Sequence, residues 1–78
     1  MLERAVEERH LQLAEAHVMR ALELIARTER LIQEARQRGG NVEPAMRSLD
    51  AMRDVLSAFS AHRDYLAGTI SDIDAGRL

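Results

Sequence analysis

Three histidines, His10, His17 and His62, are the side chains of this 78-residue sequence best suited to ligation or to proton exchange near neutral pH. Two of them stand one heptad apart in ERHLQLAEAHV, Glu8 to Val18. On a helix a seven-residue step is two turns, about 10.5 Å along the axis. Nitrogens sharing one zinc ion must each lie ~2.1 Å from it, so His10 and His17 cannot chelate together. The i, i+4 step of a His-x-x-x-His site is absent as well. Closer to a ligand arrangement is Glu7-Glu8-Arg9-His10, in which Glu7 and His10 form the Glu-x-x-His step of di-iron helical bundles. A homodimer would present that step twice. Reflection through the central turn, however, sets His10 against the Ile73 region, where only Asp72 and Asp74 offer oxygens and no facing glutamate stands. Glu7 and His10 are therefore the metal ligands of an alternative reading; the leading one expects no metal and no other cofactor.

The same reflection brings His62 near Ala21, one turn from His17. His17, His62 and Arg63 then make a candidate polar patch, with Glu15 and Asp64 beside it. Arg63 interrupts an apolar row. Either its stem lies on the core while the guanidinium reaches water, or a buried, paired arginine fixes register and oligomeric state. Histidines bordering an interface also allow a pH switch. Catalysis finds no footing. Ser48, Ser57, Ser60 and Ser71 belong to no nucleophile motif, and Gly39-Gly40 is too short for a phosphate loop. There is no cysteine, which removes disulfides, thiolate metal sites and cysteine chemistry together. No enzyme and no catalytic residue are expected.

The elements that carry these side chains are two helices. Residues 1 to 38 contain no proline or glycine and are rich in Ala, Leu, Glu, Gln and Arg, all strong helix formers. RGGNVEP, Arg38 to Pro44, is the one clear break. Gly39 or Gly40 suits the left-handed position after a helix, Asn41 suits a cap, and Pro44 is tolerated in a first helical turn. So short a connection makes the helices antiparallel neighbours. The expectation is one all-α domain over 1–78: helix one about 3–38, turn 39–43, helix two about 44–73, and a tail, 74–78, that frays because Gly68, Thr69, Ser71 and Gly76 weaken the helix there.

Apolar spacing assigns the faces. Leu11, Ala14, Val18, Ala21, Ile25, Thr28, Ile32 and Ala35 alternate by three and four in helix one. Ala45, Leu49, Met52, Leu56, Phe59, Arg63, Leu66, Ile70 and Ile73 do the same in helix two. That is the a/d pattern of coiled-coil packing. The stripe is wider than a two-helix seam needs, because His10, His17, Leu24 and Leu31 adjoin it on one side, Leu22 on the other, and Val55 and Met46 add to helix two. Four helices can cover such a face, so the antiparallel hairpin is expected to dimerise into an elongated four-helix bundle. The expected oligomer interface is Leu11, Ala14, Val18, Ala21, Ile25, Ile32, Leu49, Leu56, Phe59 and Leu66.

Charge narrows the partners. The net charge is −2, from 11 arginines against 13 acidic residues, interspersed in both halves. No basic stripe follows a phosphate backbone, and Phe59 and Tyr65 alone are too few aromatics for a base-stacking platform. Nucleic acid is thus disfavoured. A Rop-type RNA-binding hairpin dimer, using Arg20, Arg27 and Arg30, is kept as an alternative whose affinity would fall steeply with salt. A membrane partner is not expected, since acidic residues interrupt every polar face and no apolar stretch approaches the ~20 residues of a span. With no signal-like apolar run near the amino terminus and no cysteine, the cytoplasm is the expected location.

HLQLAEAHV, Leu31-Ile32 ahead of the glycine turn, and HRDYL from His62 to Leu66 resemble a group of short helical-hairpin proteins, mainly alphaproteobacterial, for which no activity is established. The resemblance covers about Glu8 to Leu66. It rests on a His-Leu-x-x-Ala-Glu-x-His-Val start and an Arg-Asp-x-Leu motif, matched by His10, Leu11, Ala14, Glu15, His17, Val18, Arg63, Asp64 and Leu66. Leu24 stands where the group has a third histidine, and Phe59 where its second helix often has another. The resemblance implies the hairpin and a bacterial source, and no activity. Taken together, the chain reads as a self-associating interaction or scaffold protein, with a homodimer favoured and an unidentified protein partner as the other option. A metal-binding four-helix bundle is the first alternative and the RNA-binding hairpin the second.

Overall fold

The computed structural model describes residues 3–78, so the first two residues of the expected domain lie outside it. Among the described residues the chain is all-helical: α1 spans Arg4–Gln37 and α2 spans Glu43–Asp74. Isolated helices of ordinary composition are marginal in water, and most of their stability in proteins comes from packing an apolar face. What sustains α1 and α2 is packing along their apolar stripes. Ala14, Val18, Ala21, Ile25 and Ile32 of α1 are buried against Leu49, Leu66 and Ile70 of α2. The alanines leave room for the second backbone. Nearest the turn, Ile25, Ile32 and Leu49 form a cluster on which Val42, Ala45, Met52 and Leu56 pack.

The helix ends are set by short-range chemistry. After α1, Gly39 takes φ +72°, a conformation that costs other L-residues a clash with their own Cβ. Its N–H donates to Arg36 O (3.0 Å), and the Gly40 N–H donates to Ala35 O (2.8 Å). These two bonds are the Schellman closure, which satisfies carbonyls the helix leaves open. The chain re-enters through Val42, the residue before α2, and Pro44 sits in the first turn. Asn41 stands one residue ahead of that cap and still serves the new helix: its Oδ1 accepts from the Glu43 N–H at 3.1 Å.

At the carboxyl end α2 continues to Asp74, one residue past Ile73, and closes where fraying was expected. Gly76 takes φ +74°, its N–H donates to Ile73 O (3.1 Å), and the Arg77 N–H donates to Asp72 O (2.8 Å). The Arg77 side chain adds an ion pair to Asp72 at 2.7 Å. The same closure thus ends both helices, and the glycine that lowers helix propensity is what makes the stop orderly.

The result is a rod, 58 × 15 × 15 Å. Its radius of gyration is 17.5 Å, against roughly 11.5 Å for a compact domain of this length. One layer of helix on helix leaves a thin core, and no large side chain is fully buried among the described residues. No helix there is long and apolar enough to cross a membrane.

Candidate interaction surface

The residues expected at an oligomer interface lie in the seam between α1 and α2 of a single chain. Ala14, Val18, Ala21, Ile25, Ile32, Leu49 and Leu66 are buried there, and Leu11, Leu56 and Phe59 are half-buried. With the seam occupied by the hairpin itself, the surface left for other molecules is the pair of flanks beside it. The two flanks differ in chemistry.

On one flank, polar and charged side chains bridge the join and line a groove of about 490 Å³, with Glu29, Gln33, Arg36 and Arg53 over Ile32 and Leu49. Arg4 donates from Nε to Asp74 Oδ1 at 2.6 Å and from Nη2 to Asp74 Oδ2 at 3.1 Å, and also pairs with Glu8. This fork ties the start of α1 to the end of α2. The hydrogen bond from Arg4 holds the Asp74 carboxyl below the usual carboxylate range, and the bonds to Asp74 and Glu8 push the Arg4 guanidinium upward. Farther along, Arg53 reaches Glu29 at 3.3 Å and Arg36 reaches the Met46 sulfur at 3.4 Å. Leu22 is exposed on this side, with Met19 one turn before it and Met46 on α2.

The other flank carries the row of His10, His17, Leu24 and Leu31, and no ion pair joins α1 to α2 across it among the described residues. Two apolar grooves run end to end there. One, of about 380 Å³, is walled by Ala21, Leu24, Ala51, Met52 and Val55. The other, also about 380 Å³, is walled by His10, Leu13, Ala14, Ala58 and His62. His17 and Phe59 line both grooves, their ring centroids 5.1 Å apart and their planes tilted by 32°. Leu13 (59% exposed), Leu31 and Val55 remain open to water on this side. Leu13 went unnoticed in the sequence because it lies one position beyond the histidine row; a helical wheel extended by that position would have found it.

The expected polar patch is brought together in part. His17 and His62 share a groove, with His10 as a third histidine on it. Arg63 is half-buried and turns along its own helix, donating from Nε and Nη2 to Asp64 Oδ1 at 3.1 and 3.0 Å. In the single hairpin its charge thus reaches the surface beside Asp64. His62 shares its groove with Leu13 and Ala14 of α1.

Glu7 and His10 approach to 3.7 Å, Oε2 to Nδ1, with Glu7 buried and His10 about half exposed. No group of three or more histidine, aspartate or glutamate side chains converges as a metal site would require among the described residues. Of the arginines an RNA-binding hairpin would use, Arg20, Arg27 and Arg30 are exposed, and Arg20 pairs with Glu23 at 3.4 Å. No protein family, no curated protein and no solved structure matches the chain.

Proposed function

We propose that this chain is an interaction module, a helical hairpin that pairs with a second copy of itself through the groove-bearing flank to give a four-helix bundle. The observation that carries this reading is the contrast between flanks. One carries the Arg4–Asp74 and Glu29–Arg53 pairs and a groove of about 490 Å³ whose lining is half polar, with Glu29, Gln33, Arg36 and Arg53, and the other keeps Leu13, Leu24, Val55 and Phe59 around two apolar grooves. Size supports it as well. A flank 58 Å long and 15 Å across offers on the order of 900 Å², close to the ~800 Å² per partner of a standard stable interface. The thin core supports it from the side of stability, since a small domain without disulfides gains much from burying a second face.

In this reading the protein acts by holding things together and performs no catalysis, and it works in the cytoplasm, which suits a chain without cysteine. The test is its mass in solution, read by light scattering over a wide concentration range at pH 8. Twice the 8.8 kDa chain mass is expected. A monomer at every concentration overturns the proposal.

A further inference from the structure

We infer that acid opens the paired hairpins, because His17 and His62 line the groove that a second copy would cover. The inference rests on the self-association proposed above and adds its control. The two side chains come from different helices and meet in one apolar groove, between Leu13, Ala14, Ala58 and Phe59. Neutral imidazole can be covered by an apolar partner at modest cost. Imidazolium loses its water on covering, and that penalises the charged form unless an anion replaces the water.

The charged neighbours supply no such anion. His17 has Phe59 of α2 against its ring, and Arg20 of its own helix lines the adjoining groove. His62 is followed by Arg63, whose guanidinium holds Asp64. Across the groove α1 offers His62 only His10, Leu13, Ala14 and His17. Glu7, buried beside this groove, stands against His10, 3.7 Å from Nδ1, and no carboxylate pairs with His17 or His62 among the described residues. His10 therefore has a local counter-ion, while His17 and His62 have none.

The sign follows. Covered imidazoles hold protons less readily than free ones, so the dimer binds fewer protons than two separate hairpins. Association then weakens as pH falls through the histidine range, about pH 8 to 5. A symmetric dimer covers four such imidazoles. If covering makes each about threefold harder to protonate, the losses compound to roughly 80-fold in the dissociation constant.

The experiment measures that constant by sedimentation velocity over a dilution series at pH 8, 7, 6 and 5, with helicity followed by circular dichroism. Wild type is compared with the double variant His17→Gln/His62→Gln. The expected result is about an 80-fold rise for wild type between pH 8 and 5 and less than about fivefold for the variant. A wild-type dimer indifferent to pH overturns the inference and leaves the self-association standing. Equal weakening of both proteins also overturns it, since the acid effect then lies elsewhere. A monomer at pH 8 removes the self-association and this inference with it. Should the variant alone fail to associate at pH 8, imidazole proton shifts of wild type decide instead. His17 and His62 are expected to titrate at lower pH in samples above the dissociation constant than below it, and identical midpoints overturn the inference.

Discussion

Leu13 and Leu22 make a matched pair for testing which flank associates. They are exposed to similar extents, 59% and 46%, and stand on opposite flanks of the seam. In an isolated hairpin neither truncation to alanine costs much, because little of either side chain leaves water on folding and alanine is the better helix former. Covering the groove changes this for Leu13 alone. Burying a whole leucine side chain stabilises by about 1.5–3 kcal/mol, so covering the exposed 59% of Leu13 contributes about 1–2 kcal/mol per copy. Two-fold symmetry doubles that to about 2–3.5 kcal/mol, or roughly 20- to 400-fold in the dimer dissociation constant. Leu13→Ala should weaken association by that factor in a sedimentation or dilution assay, with monomer helicity unchanged. Leu22→Ala should leave the constant within about threefold, the range of ordinary surface substitutions. A dimer weakened equally by both variants, or by Leu22→Ala alone, would refute the assignment of the groove-bearing flank.

Two further perturbations probe the hairpin itself. Gly39→Ala meets no neighbour within 4 Å but must adopt φ +72°, so the cost is conformational, about 1–2 kcal/mol. Thermal melting should fall by about 5–15 °C, and by less for Gly76→Ala, where only the last turn need unwind. Asp74 titrates below its ordinary value when folded, so its contribution to stability is complete above about pH 4 and is lost as pH falls through the lowered folded value. Asp74→Asn should therefore melt earlier than wild type at pH 5 and converge with it toward pH 2; melting curves that stay parallel over that range would contradict the Arg4–Asp74 clasp.

What the sequence made legible is what short-range physics decides. Spacing by three and four revealed both helices and their seam, since the partner of such a stripe hardly affects its periodicity. RGGNVEP marked the turn because glycine and proline restrict the backbone locally, whatever is packed on it. Counting residues leaves out how far one helix is offset along the other. Reflection through the turn sets His62 opposite Ala21, while the groove it lines holds Leu13 and Ala14, farther from the loop. Residue numbers ignore how the loop and the twist of the pair offset one helix along the other, here by about two turns. The Arg4–Asp74 clasp was hidden for the same reason, since which terminal charges meet depends on the relative phase of two long rods. Gly76 was read through its propensity alone, although its place two residues past the end of α2 matches that of Gly39 past α1.

The asymmetry of the flanks also bears on how many copies would assemble. A hairpin with apolar rows on both sides could take a neighbour on each, and repetition of such contacts gives open-ended assemblies. Here the rows split. His17, Leu24 and Val55 stand on one side, while the Arg4–Asp74 fork and the Glu29–Arg53 pair stand on the other. If a second copy covers the first side, each hairpin turns its ion-paired side outward, where charged groups keep their water and a third copy would have to strip it. The contact between two like flanks is self-complementary, so it closes on itself and ends at two. Glu29, Arg53, Arg4 and Asp74, which line neither of the two apolar grooves, are the residues that set this limit.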